Sequence, residues 1–191
     1  RAYWRRRGLD DKTIVRFGLG YAPDDGQALY QYLRDKGYNR QELDASGLFK
    51  RSQSGRVYCL FWRRVMTPIF DLRGNIIAFG GRVLDDSKPK YVNSPETLVY
   101  HKSGTVFALQ IAKRSASRRF VLCEGYMDVI SMHQAGIDTA VCACGTALTP
   151  DQVRLISEYA DEVILSYDSD EAGQKATLRS LEMFRNSPVK V

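Results

Sequence analysis

The sequence predicts an α/β protein in two parts: a basic α+β N-terminal segment over residues 1–117, then a parallel-sheet α/β segment over residues 118–191. Three observations carry that expectation. Two short apolar runs, Phe120-Val121-Leu122 and Val163-Ile164-Leu165, are each followed by an acidic cluster and then a helical pattern, as in buried parallel strands joined by crossover helices. Upstream, two apolar runs flank Arg73-Gly74-Asn75, which reads as a hairpin. Charge is also unevenly divided. Residues 1–119 hold 23 Lys and Arg against 11 Asp and Glu, a net +12, whereas residues 120–191 hold 5 against 11, a net −6.

Taken in order, residues 2–8 read as a helix closed by Gly8, and residues 10–17 as a second short helix. Residues 27–36 place Leu29, Tyr32 and Leu33 on one helical face, closed by Gly37. Residues 41–46 form a helical turn before Gly47, and residues 48–50 and 57–60 are short strands about a Ser/Gly turn. The hairpin ends in Gly80-Gly81-Arg82, where consecutive glycines allow either a close backbone approach or a bulge. Pro89 and Pro95 then exclude a regular helix, so residues 88–97 read as an extended loop displaying cations, Tyr91 and Asn93. Residues 106–114 read as an apolar-faced helix, residues 126–134 as a helix stopped at Gly136, and residues 140–144 as a strand. Thr149-Pro150-Asp151-Gln152 opens a helix with proline at its first position and a Thr-x-x-Gln capping box. A strand over 161–167 and a helix over 171–184 follow, and the chain ends on a further strand.

The bulk properties exclude several classes. A 191-residue chain with 44% hydrophobic and 26% charged residues is an ordinary folded composition. No apolar run approaches the roughly 20 residues of a membrane span, and no apolar core follows the Arg-rich start as a signal peptide requires. Cys59, Cys123, Cys142 and Cys144 form neither a disulfide framework nor a zinc site, since Cys142-x-Cys144 is too tight and no second pair follows. Cys123, Cys142 and Cys144 read as small apolar residues, which points to a reducing cytoplasm. His101 and His133 have no metal-ligand company.

The chemistry is concentrated at the two strand ends. Glu124, Asp168 and Asp170 follow the predicted strands, and open parallel sheets present working residues just beyond their carboxyl ends. Carboxylates converging on one rim repel each other unless a cation neutralises them. Hard oxygen ligands without His or Cys suit Mg2+ or Mn2+, which serves phosphoryl transfer. Asp170 reads equally as a cap for the helix from Glu171. Asp128 reads either as a metal ligand, direct or indirect, or as a first-turn acid favoured by the helix dipole.

Glu124-Gly125-Tyr126-Met127-Asp128, then Gly145-Thr146-Ala147-Leu148-Thr149, then Asp168-Ser169-Asp170-x-Ala172-Gly173 together resemble the TOPRIM domain, in the version found in DnaG-type bacterial primases. Gly80-Gly81-Arg82 and Lys90-Tyr91-x-Asn93-Ser94-Pro95-Glu96-Thr97 are similar to the hairpin end and basic motif of the same family. The resemblance covers nearly the whole chain. It implies the RNA polymerase core of a replicative primase, making short RNA primers on a single-stranded DNA template from ribonucleoside triphosphates by nucleotidyl transfer. Glu124, Asp168 and Asp170 are then the catalytic and metal-binding residues, with Asp128 as a further ligand candidate and Glu124 either ligand or general base. Arg64, Arg82, Lys90, Tyr91, Asn93 and Lys102 are the nucleic-acid and nucleotide-binding set. The implied partners are template, nucleotides, RNA primer and, through a C-terminal region outside this sequence, the replicative helicase; a membrane is not among them.

The family's zinc-binding domain and a further acidic motif are also outside the sequence. The chain is therefore read as a piece of the core, with its TOPRIM segment incomplete and its activity in isolation open. Two other readings are a TOPRIM topoisomerase or nuclease, against which the basic motif argues, and a non-catalytic nucleic-acid-binding TOPRIM module, against which retention of all three acids argues.

Overall fold

The computed structural model describes residues 1–145 and 147–191; Thr146, inside the Gly145-Thr146-Ala147 motif, lies outside the described residues. In chain order the elements are α1 (Ala2–Arg6), α2 (Asp11–Arg16), β1 (Gly20–Ala22), α3 (Ala28–Asp35), α4 (Arg40–Ala45), β2 (Phe49–Arg51), β3 (Val57–Cys59), β4 (Arg64–Phe70) and β5 (Ile76–Val83). They continue with β6 (Tyr91–Asn93), β7 (Val106–Phe107), α5 (Leu109–Ala112), β8 (Arg119–Cys123), α6 (Tyr126–Gln134), β9 (Ala140–Ala143), α7 (Pro150–Ser157), β10 (Glu162–Ser166) and α8 (Glu171–Phe184).

The chain forms two compact units. One comprises Arg1–Phe17, Ile69–Ile76 and Lys102–Val191, and the other Gly18–Pro68 and Ile77–His101. This grouping differs from a division at residue 117, because the first helices and the stretch from Lys102 pack with the parallel sheet. The Gln134 side chain accepts from the Asp10 amide at 2.7 Å and donates to the Gly8 carbonyl at 2.8 Å, tying the α1–α2 turn to α6. Phe17 packs on Phe107 and edge-on against His133.

In the first unit the strand order is β10-β8-β9-β7. β8 is parallel to both neighbours, with Val121 opposite Ala140 on one side and Ile164 on the other. Phe120, Leu122, Val141 and Val163 are buried with Val153 and Ile156 of α7 and Phe184 of α8. Apolar strands of this kind arise because the crossover helices cover the sheet faces. The four cysteines are buried free thiols. Burial pushes the Cys123 thiol up to about 12 and raises that of Cys142 well above the ordinary thiol range, so both behave as small hydrophobes. Where the sequence suggests a C-terminal strand, the structure shows only an isolated parallel bridge between Lys190 and Glu162.

Capping follows the sequence. Asp10 accepts from the Thr13 amide, Asn39 and Glu42 form a reciprocal box, and Thr149 and Gln152 form another behind Pro150. Gln152 does more than cap. It is fully buried, and its amide nitrogen donates to the carbonyls of Lys102 and Thr105 at 2.8 Å each, anchoring that turn on α7.

Two segments differ from expectation. Residues 106–114 are not one helix: Val106 and Phe107 form β7, antiparallel to β9, Ala108 is left-handed at φ 64°, and only Leu109–Ala112 is helical. A short apolar run has no decisive period of its own, and the open edge of β9 offers backbone partners that a helix would forgo. Residues 88–97 are not wholly a loop either, since Tyr91–Asn93 pairs antiparallel with β5. Pro89 and Pro95 lie just outside the paired residues, where no amide is needed.

The second unit carries a sheet of order β1-β4-β5-β6 and the separate β2–β3 ribbon. Its helix α3 fully buries none of its residues. Leu29 and Leu33 instead border a cavity of about 350 Å3 that Phe61 and Phe79 also line.

His133 of α6 is buried, with Nε2 2.9 Å from the Ala140 carbonyl and Nδ1 enclosed without a partner. Desolvation holds its imidazole below the ordinary 6.5. The unfolded chain then binds a proton at a pH where the folded chain does not, so stability is full above 6.5 and falls as pH drops below it. Thermal midpoints recorded from pH 7.5 to 5.5 are expected to decline, and His133→Gln is expected to flatten that decline.

Candidate functional site

The acidic rim is built by register. Parallel pairing sets Cys123 opposite Ser166 at the carboxyl ends of β8 and β10, so the chain leaves both strands at one edge. Glu124 follows directly on β8, and its Oε2 accepts from the Asp168 amide at 3.2 Å. The structure thus brings Glu124 and the Asp168 turn together.

The other acids are engaged in capping. Asp170 is the N-cap of α8, with Oδ1 accepting from the Gly173 amide at 2.8 Å. Asp128 Oδ2 accepts from the Gly125 amide at 3.0 Å across the start of α6. Both helix-terminus readings therefore hold, and each leaves a second carboxylate oxygen without a hydrogen bond in these caps. Glu124, Asp128, Asp168 and Asp170 are all exposed. Among the described residues no group of three His, Cys, Asp or Glu stands ready as a metal cage. The donor set is carboxylate throughout, with Cys123 and Cys142 withdrawn into the core, which fits a hard divalent cation retaining water ligands.

Gly173 makes this turn possible. A Cβ there would lie 2.0 Å from the Asp168 carbonyl oxygen, a backbone atom that cannot swing aside. The Asp168-x-Asp170-x-x-Gly173 spacing is thus a packing requirement as well as a motif, and a glycine three residues after a helix cap was its sequence signal.

The basic residues of the second unit are held by β5 and β6. Arg82 pairs in register with Tyr91; its Nε donates to the Tyr91 hydroxyl at 3.2 Å, and its guanidinium lies 5.7 Å from the ring centroid. Lys90 and Tyr91 are exposed, while Asn93 is half-buried opposite Gly80.

Arg64 is placed differently from the rest of this set. It is 7% exposed and donates to the carbonyls of Pro89 at 2.9 Å, Lys90 at 3.3 Å and Gly81 at 3.4 Å. Burial holds its guanidinium pKa below the ordinary arginine value. It props the Pro89–Lys90 backbone from beneath, a role with no signal in the sequence. Gly81 takes the close-approach reading, because a Cβ there would meet Phe61 at 2.8 Å and Arg64 at 3.0 Å. Lys102 belongs to the first unit, in a short 3-10 turn held by Gln152.

Residues 1–113 match the family described as DNA primase catalytic core, N-terminal domain. The chain belongs to the DNA primase catalytic core family. Residues 121–191 match the Toprim-like family, so the two matches fall either side of residue 117. A DNA primase of Clostridium acetobutylicum is 48% identical over 186 residues, covering 97% of this chain and 31% of that protein. The chain spans about a third of the length of the curated primases it matches. Among solved structures, the E. coli primase catalytic core superposes with a TM-score of 0.88 at 40% identity, covering 96% of this chain and 59% of that one. A DnaG primase catalytic domain bound to ssDNA gives 0.87 at 39% identity, covering 96% and 60%.

In this primase core, Gly173→Ala is expected to displace the Asp168 turn and cost about 1–3 kcal/mol. Asp168→Ala keeps the amide that Glu124 accepts and is expected to stay within about 0.5 kcal/mol of the parent protein. Thermal unfolding of both variants checks the contrast.

Proposed function

We propose that the protein is the polymerising core of a replicative primase, joining ribonucleoside triphosphates into short RNA primers on a single-stranded DNA template. The observation that carries this reading is the hydrogen bond between the Asp168 amide and Glu124 across two parallel strand ends, in a chain of the primase core family. A relative described as bound to ssDNA supports the template assignment.

Glu124, Asp168 and the free oxygen of Asp170 would hold Mg2+ or Mn2+, with Asp128 in reserve. When bound, the cation supplies charge stabilisation to phosphoryl transfer. Glu124 has a further task within the chain: by accepting the Asp168 amide it keeps the two ligand-bearing turns in register. Arg82, Lys90 and Lys102 would grip phosphates of template and nucleotide in largely sequence-blind contacts. Tyr91, steadied by Arg82, presents an exposed ring of the kind on which unpaired bases stack. Arg64 serves that surface from beneath by fixing the Lys90 backbone. No described helix is long and apolar enough to cross a membrane, and we place the reaction in the cytoplasm. Contact with a replicative helicase would be made by chain outside these residues.

Manganese binding followed by electron paramagnetic resonance is expected to weaken in both Asp168→Ala and Glu124→Gln; retention in both would remove the metal from this rim. In primer synthesis by the protein at full length, Asp168→Ala is expected to lower turnover by roughly a thousandfold, the several kcal/mol a cation contributes, with DNA affinity nearly unchanged. Lys90→Ala is expected to raise the apparent KM about tenfold and reduce the log–log salt slope of DNA binding by about 0.7. Near-normal turnover in Asp168→Ala would favour a non-catalytic binding module instead.

A further inference from the structure

Beside the acidic rim is a cavity of about 340 Å3, lined among others by Glu124, Leu148, Tyr167, Arg179, Ser180 and Met183. Its one cation is unusual within its segment. From residue 120 onward the basic residues are Arg154, Lys175, Arg179, Arg185 and Lys190. Four are matched to carboxylates: Arg154 with Asp151, Lys175 with Glu171, Arg185 with Glu182 and Lys190 with Glu162. Arg179 has neither an ion pair nor a hydrogen bond among the described residues. In a segment of net charge −6, the fifth cation has no ion pair among the described residues and borders a cavity instead. The carboxylate lining that cavity, Glu124, already accepts the Asp168 amide.

We propose that this cavity is a polyphosphate site in which Arg179 binds the anion. The proposal rests on the primase reading and extends it with a binding residue for the nucleotide substrate or the pyrophosphate product. A guanidinium presents five donors in a planar fork that matches phosphate oxygens in pairs, and Arg179 has all of them available. The Tyr167 and Ser180 hydroxyls, bonded to each other at 2.9 Å, add polar groups to the wall, while Leu148 and Met183 supply an apolar face. The volume lies at the small end of ligand cavities, which suits a mononucleotide rather than a polymer. The polyphosphate has two possible sources, the incoming nucleoside triphosphate and the released pyrophosphate, and both present the same groups to Arg179.

The test is equilibrium binding to the 191-residue chain in EDTA, in a Lys90→Ala background that suppresses binding at the other basic surface. ATP, inorganic pyrophosphate and adenosine are the probes, and the Arg179 Nε–H resonance is the local reporter. ATP and pyrophosphate are expected to bind and shift that resonance, with adenosine at least about tenfold weaker. Arg179→Gln is expected to weaken both polyphosphates about tenfold or more, and Arg179→Lys less than that, because it keeps the charge but loses the fork. Tighter ATP than pyrophosphate assigns the apolar wall to the nucleoside, whereas equal affinities assign the site to the polyphosphate alone; either outcome supports the site. An Arg179 resonance unmoved by both polyphosphates, or unchanged affinity in Arg179→Gln, overturns it. Turnover is not measured here and the metal is removed, so this result stands apart from the Asp168→Ala test. Loss of binding in Arg179→Gln alongside normal turnover in Asp168→Ala would keep the polyphosphate site and discard the primase reading.

Discussion

The parallel pairing of β8 with β10 is the constraint on which the acidic rim depends. Glu124 meets the Asp168 turn because Cys123 lies opposite Ser166, and a slip of one residue would turn every side chain of one strand to the other face. The register is also marked at the opposite end of the pair, where Arg119 meets Glu162 and Arg118 meets Asp161 at 2.9 Å. These pairs are largely exposed, and exposed pairs contribute about 0–1 kcal/mol each. Burial of Phe120, Leu122 and Val163 therefore decides the register, at about 25 cal/mol per Å2 of apolar surface, and the ion pairs select among already similar arrangements.

Carboxylates at the rim divide into those that build it and those that it displays. Asp170 and Asp128 close the first turns of α8 and α6, satisfying amides that would otherwise lack partners. Glu124 ties one strand end to the next through the Asp168 amide. Asp168 contributes its backbone to this network and leaves its side chain on display. Gly173 permits the arrangement, because any larger residue would strike the Asp168 carbonyl.

The second unit solves a different problem, how to keep an exposed lysine and tyrosine in a fixed place at an edge strand. Its solution is a buried cation. Arg64 gathers the carbonyls of Gly81, Pro89 and Lys90 around one guanidinium, and carbonyl dipoles offset part of the cost of burying its charge. Gly81 is small enough to let Arg64 and Phe61 reach that position. From the outer side, Arg82 packs over Tyr91.

Much of this molecule was legible in its residues. The apolar runs before Glu124 and Asp168, the Thr149–Gln152 capping box, the glycine helix stops and the hairpin about Gly74 each carry a local physical cause, so they could be read without knowing what lay beside them. The strand-end acids were legible for the same reason, since a residue that follows a buried parallel strand must emerge at its carboxyl edge. Tertiary structure alone decided the rest. Val106 and Phe107 became a strand because β9 had an open edge, and Tyr91–Asn93 became one because β5 did. Arg64 went inside because three carbonyls happened to converge there, and Gln152 because two did. Arg179 was left uncommitted because the carboxylate that lines its cavity, Glu124, accepts the Asp168 amide. None of these outcomes follows from a residue's own propensity; each depends on which backbone groups and charges of distant segments remain unsatisfied once the chain has folded.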